Sequence, residues 1–175
     1  MGYFKKYKFD KSKFKLGMRT FKTGIAVFIV LLIFGFLGWK GLQIGALTAV
    51  FSLREDFDKS VHFGTSRILG NSIGGLYALF FFLINQLFHD QFWVTLLLVP
   101  ICTMLTIMTN VAMNNKAGVI GGVAAMLIIT LSIPSGETFL YVFARVFETF
   151  MGVFVAILVN YDIEQLKLFW EKKRK

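Results

Sequence analysis

The sequence predicts an all-α integral membrane protein whose six transmembrane helices form two inverted three-helix repeats. Three observations lead there. The chain is 56% hydrophobic, with 21 phenylalanines and only two prolines, and its mean hydropathy is +0.67. Soluble domains run lower, at roughly 45–50% apolar. The net charge of +9 is confined to the ends and to the breaks between apolar runs. One arginine setting also occurs twice, 78 positions apart, each time opening a long apolar helix.

A helix needs about 20 residues to cross a bilayer. The apolar runs place spans at about 19–38, 41–53, 61–88, 92–109, 116–133 and 138–162. Local stop signals separate them: Gly38-Trp39-Lys40-Gly41, the charged run Arg54 to Lys59, the polar stretch Asn85 to Gln91, Asn114-Asn115-Lys116, and Pro134-Ser135-Gly136. The second span is short for a full crossing and reads as tilted, broken or re-entrant. Residues 1–18 form a basic cytoplasmic arm, 19–162 the membrane domain and 163–175 a basic cytoplasmic tail. No cleavable leader is expected, because the first apolar run passes into a second without a small-residue cleavage motif.

Positive charge sets the orientation. The arm holds Lys5, Lys6, Lys8, Lys11, Lys13, Lys15, Arg19 and Lys22. Arg54, Lys59 and Lys116 follow in loops, and Lys167, Lys172, Lys173, Arg174 and Lys175 in the tail. Six crossings put all of these on one side and leave Lys40 on the other, so both termini are expected in the cytoplasm. The arm alternates lysines with Tyr3, Phe4, Tyr7, Phe9 and Phe14. That pattern suits either a segment lying on anionic headgroups or a plain positive-inside anchor.

The first copy of the repeat reads Ser66-Arg67-Ile68-Leu69-Gly70-Asn71-Ser72-Ile73-Gly74, with Ala78 beyond. The second reads Ala144-Arg145-Val146-Phe147-Glu148-Thr149-Phe150-Met151-Gly152, with Ala156 beyond. Ala46 to Leu53 aligns with Ala124 to Leu131 at the same offset. Three crossings per unit invert the second copy, so Arg67 is expected near the cytoplasmic end of its helix and Arg145 near the outer end of its own. Inverted repeats are a common transporter plan, with the substrate path where the halves meet. Gly41 and Gly45, Gly70 and Gly74, and Gly118 and Gly122 have the spacing that lets helices approach closely in lipid. Gly70, Gly74 and Gly152 are accordingly expected at helix contacts, and Pro100 is expected to kink the fourth span.

A guanidinium stays charged at any working pH. Inside a membrane it must snorkel, pair or face water. Glu148 lies one turn from Arg145, so an intramembrane ion pair is one reading of that arginine. Arg67 has no acid within a turn. The other reading makes both arginines anion-binding groups, since a guanidinium grips carboxylate or phosphate through a fork of donors. Lys22, at the start of span one, adds a cation at the cytoplasmic mouth. Asn71, Thr149, Asn160 and Asn85 are polar groups expected to line a path, and Glu148 is the candidate for proton coupling.

No metal site or cofactor is expected. His62 and His89 are far apart with no second ligand at metal spacing, and the single Cys102 reads as a small core residue. The series Met104, Met108 and Met113 reads as filler. No nucleophile with its base and no phosphate-binding glycine loop is visible, so the chain is not expected to be an enzyme. No aromatic and basic nucleic-acid module is visible either, and anionic lipid headgroups account for the charge.

The opening Arg19-Thr20-Phe21-Lys22-Thr23-Gly24-Ile25-Ala26, the short second span, Arg67-Ile68-Leu69-Gly70 followed by Gly74, and Arg145 followed by Gly152 and Val159-Asn160 resemble the aromatic acid exporter family, also called the fusaric acid resistance family. The resemblance covers residues 17–162. It implies a bacterial cytoplasmic-membrane protein that exports small organic anions, aromatic ones among them, with Arg67, Arg145 and Lys22 contacting the anion. Larger members carry a soluble domain or two membrane units, so a homodimer of this chain would restore a paired arrangement. The rival expectation is a non-transporting membrane scaffold or envelope-assembly partner whose arginines are structural.

Overall fold

A computed structural model describes residues 14–39, 41–89, 91–132 and 139–173. Most of the basic arm, Lys40, the turn Pro134-Ser135-Gly136, Arg174 and Lys175 lie outside the described residues. The chain forms α1 (Met18–Leu37), α2 (Leu42–Ser52), α3 (Phe57–Leu87), α4 (Phe92–Ala112), a 3-10 turn (Lys116–Gly118), α5 (Val119–Ser132) and α6 (Phe139–Lys173). Among the described residues there is no strand.

Two boundaries differ from expectation in an instructive way. The third helix begins at Phe57, inside the charged run read as a loop. Asp56 is its extended N-cap residue and Asp58 sits in its first turn, where a carboxylate is favoured by the positive helix end. The sixth helix runs on through Lys173, so residues 163–173 continue the helix beyond its apolar part, Leu140–Ile163. α4 passes through Pro100 without a break.

α1, α3, α4 and Leu140–Ile163 of α6 are long and apolar enough to cross a membrane. α2 has 11 residues and α5 has 14. At 1.5 Å per residue they rise about 16 and 21 Å, against a hydrocarbon core of about 30 Å. The short second helix was expected. The fifth was expected over 116–133, and its first three residues tighten into the 3-10 turn.

α1 ends on Gly38, which adopts φ 63°. That left-handed cap lets Gly38 N–H bond Gly35 O and Trp39 N–H bond Phe34 O. Trp39 then packs edge-on against Phe34 and Phe147, fixing the start of α2 beside α6.

The interior is the reverse of a soluble core. α1 buries Lys22, Ala26, Val30 and Phe34, one residue per turn. α4 buries only Cys102, Thr106 and Asn110, and α3 buries mostly Gly, Ser, Ala and Asn. Large apolar side chains such as Phe28, Phe36, Leu76, Trp93 and Phe143 point outward. Lipid tails are as apolar as leucine, so small residues that admit another backbone, not large ones, mark the helix contacts. Gly70 and Gly74 of α3 press on the backbone of Gly118 and Gly122, and Gly152 of α6 presses on Gly45 and Thr48. A methyl group at any of these three would overlap a carbonyl oxygen.

α1 lies against α2 and α6, and α4 lies against α5 and α3. α2 packs extensively on α6, α5 packs extensively on α3, and α3 and α6 cross each other. Among the described residues α2 and α5 do not meet. A gap is left between the two short helices, with α3 and α6 behind it.

Candidate functional site

The gap is a cavity of about 140 Å3. α2 supplies Ile44, Leu47, Thr48 and Phe51, α5 supplies chiefly aliphatic residues, and the back wall carries Arg67, Asn71, Arg145 and Thr149. Two cations therefore face an otherwise mostly apolar hollow.

The two arginines flank a central hydrogen bond. Asn71 Nδ2 donates to Thr149 Oγ1 at 2.8 Å, and the residues are 78 apart, so the bond joins matching positions of the duplicated segments. Thr149 Oγ1 in turn donates to Arg145 O at 3.1 Å. Each arginine lies four residues before its member of the bonded pair, about 6 Å along its helix, and the two sit on opposite sides of the bond because α3 and α6 run in opposite directions. That antiparallel course follows from the end contacts. Ser60 of α3 meets Asn160 of α6 at one end, while Gly75 of α3 faces Val142 and Val146 of α6 towards the other.

The arginines differ in their partners. Arg145 Nη1 is 3.1 Å from Glu148 Oε2, with both side chains almost wholly buried, and its Cζ lies 4.6 Å from the centre of the Tyr141 ring. Arg67 has no carboxylate partner among the described residues. Its Cζ lies 4.8 Å from the centre of the Phe51 ring. Arg67 Nε, Arg145 Nε, Asn71 Oδ1 and Thr48 Oγ1 are all buried without a hydrogen-bond partner. Unmet donors and acceptors of this kind normally find a ligand or water. Glu148 is wedged against Gly41, where any side chain would collide with its carboxylate.

Of the residues expected to form a site, the cavity brings together Arg67, Arg145, Asn71 and Thr149. Glu148 stands beside it through Arg145. Lys22 and Asn160 lie elsewhere. Lys22 Nζ donates to Asn160 Oδ1 at 2.6 Å, and Asn160 Nδ2 donates to Ser60 Oγ at 2.8 Å. Gly70, Gly74 and Gly152 make the close crossings described above. Asn85 is buried near the far end of α3.

Sequence reasoning missed Thr48 and Phe51, which sit in the segment that aligns with 124–131. It also missed Asn115, whose Nδ2 donates to Ser66 O and to Asn110 Oδ1 and ties the loop before α5 to α3. Nothing local in the sequence marks that loop asparagine. Among the described residues no cluster of His, Cys, Asp or Glu is arranged for a metal.

The sequence model of aromatic acid exporter family member 1 matches residues 14–163 of the 175. No curated protein and no solved structure matches the chain. The match takes in α1 to α5, α6 as far as residue 163, and the entire cavity, and the multi-pass apolar fold agrees with a family of membrane transporters rather than enzymes. The chain belongs to the aromatic acid exporter family.

Proposed function

We propose that this protein exports small organic anions, single-ring aromatic carboxylates foremost, through the cavity between α2 and α5. The observation that carries the reading is that Arg67 and Arg145 face one hollow and Arg67 has no acid partner there. The volume of about 140 Å3 is close to the ~150 Å3 of a cavity known to hold benzene. An apolar ring would lie against Leu47, Phe51 and the α5 side chains. Its carboxylate would take the fork of donors on Arg67, with Asn71 and Thr48 offering further polar contacts.

The reading includes the two inverted repeats and six passages of the chain. The helix contacts support it: α1 against α2 and α6 mirrors α4 against α5 and α3, and α2 on α6 mirrors α5 on α3. The reading includes the bacterial cytoplasmic membrane, which the family resemblance implies, and the lysine and arginine bias argues for both termini inside. The open side of the cavity carries exposed Leu47, Phe51, Ile120 and Ile128, and a second copy apposed there would close the passage, which favours a homodimer.

Glu148 would act as an internal competitor. It occupies Arg145 when no anion is present. Protonation, or displacement by the incoming carboxylate, would release that guanidinium to the substrate. The charged group facing Glu148 among the described residues is Arg145 on its own helix. From the α1–α2 connection it meets the uncharged Gly41.

The test is flux of a simple aromatic carboxylate from proteoliposomes. Arg67→Gln and Arg145→Gln are expected to lower it at least tenfold while the protein still folds. Unchanged flux in both variants would reject transport and leave the scaffold reading.

A further inference from the structure

A second group of cations gathers at the opening of α1, and it takes no part in the cavity. Lys22 is only 6% exposed. Its ammonium has three donors, and among the described residues Asn160 Oδ1 is its acceptor. Asn160 leads to Ser60 Oγ, which also accepts the backbone N–H of Arg54 at 2.7 Å. Asn160 and Ser60 are fully buried. Three linked hydrogen bonds thus hold Lys22, α6, the start of α3 and Arg54 in one corner.

Arg54 adds a guanidinium there. Its Cζ lies 3.8 Å from the centre of the Phe63 ring, and its buried Nε has no hydrogen-bond partner. Burial first, and then the neighbouring Arg19, push the Arg54 guanidinium below its ordinary range. Arg19 lies one turn before Lys22 on α1, on the same face. α3 begins in this corner and adds the positive end of its dipole.

Among the described residues no acid is paired with this charge. Asp56 is held by Lys59 at 2.7 Å, with both side chains exposed. Glu55, Asp58 and Asp162 are exposed and make no ion pair with Arg19, Lys22 or Arg54 among the described residues. A buried ammonium left without an anion is costly, and here two arginines and a helix start raise that cost together.

We propose that Lys22, Arg54 and Arg19 form a binding site for the phosphate of an anionic membrane lipid. Phosphate oxygens accept from both ammonium and guanidinium groups, the latter through paired donors. Leu16, Met18 and Phe21 stand exposed along the opening of α1 and offer acyl chains an apolar surface beside the headgroup. The lipid then clamps α1, α6 and the α2–α3 connection at one end of the bundle. The site is independent of the transport reading.

The full chain in an uncharged detergent is titrated with phosphatidylglycerol, with phosphatidylcholine and with inorganic phosphate, and bound species are read by native mass spectrometry. Phosphatidylglycerol is expected to bind about tenfold more tightly than phosphatidylcholine, about the worth of one charge-assisted hydrogen bond. Lys22→Gln and Arg54→Gln should each lower its affinity by a similar factor, while Lys22→Arg and Lys59→Gln retain it. Should Lys22→Gln fail to fold, Arg54→Gln against Lys59→Gln decides, because among the described residues the Arg54 side chain makes no hydrogen bond or ion pair. Inorganic phosphate that depends on Lys22 and Arg54, with phosphatidylglycerol indifferent to both, assigns the site to a soluble anion and overturns the lipid. Equal phosphatidylglycerol affinity in all variants overturns the site itself.

Discussion

The halves around Arg67 and Arg145 share a pattern and differ at one telling position. Gly74 and Gly152 correspond, and both press on a neighbouring backbone. Asn71 and Thr149 correspond, and they bond each other. Gly70 and Glu148 also correspond, yet one is a contact glycine and the other a buried acid. In the first half that position lets α3 meet Gly118. In the second it faces Gly41, and the missing side chain of Gly41 leaves the space for a carboxylate. Among the described residues the same geometry thus supports a paired cation on one side and an unpaired one on the other. On the proposed function, the difference would make Arg67 the point of first attraction for an anion and Arg145 the guarded one.

The largest expected effect breaks what the halves share. Gly74→Ala and Gly152→Ala each drive a methyl into a backbone carbonyl, of Gly122 and of Gly45, and should abolish recovery of folded protein in size-exclusion chromatography. Gly24, where an added methyl would meet open space, is the matched control.

Next comes the site itself. Arg67→Gln should weaken anion binding by ten- to a hundredfold, the worth of roughly 1.5–3 kcal/mol for a hydrogen bond to a charged group, measured by tryptophan fluorescence or calorimetry. Arg145→Gln should weaken binding less in equilibrium titrations at neutral pH, where Glu148 already occupies that guanidinium. Equal losses in the two variants would erase the proposed division of labour.

Glu148→Gln sharpens the contrast further. It removes the competitor, so Arg145 becomes available and anion affinity should rise severalfold while its dependence on pH falls. A cost in thermal stability is expected alongside, since a buried guanidinium loses its counter-charge, and breaking such a pair costs about 3–5 kcal/mol. The double variant Arg145→Gln with Glu148→Gln should recover part of it.

The smallest effect is Gly24→Ala. It sits inside α1 in open space, and alanine there should add up to ~1 kcal/mol of helix stability, seen as a small rise in the thermal midpoint with flux unchanged.

The helices were largely legible in the sequence because lipid imposes long apolar runs, and stop signals such as Gly38 and Asn114-Asn115 bound them. The arginine pair was legible because charges are rare within such runs. The duplicated offset also pointed to Asn71 and Thr149, though not to the bond between them. What failed was local. Lys22 looks like one more cation at a mouth, and only α6 and the start of α3 reveal that Asn160 and Ser60 enclose it. The charged run before α3 reads as a loop, yet its acids open a helix.

By itself the sequence determined a membrane-embedded helical protein, its family, and the matching settings of Arg67 and Arg145, because hydropathy and repetition are properties of the chain read in order. Tertiary structure decided that the two arginines face one hollow, that Glu148 holds only one of them, and that Lys22 belongs to a different corner. Those outcomes depend on which helices approach closely enough to touch, and glycine-on-backbone contacts between α3 and α5 and between α2 and α6 set that approach over distances no local pattern records.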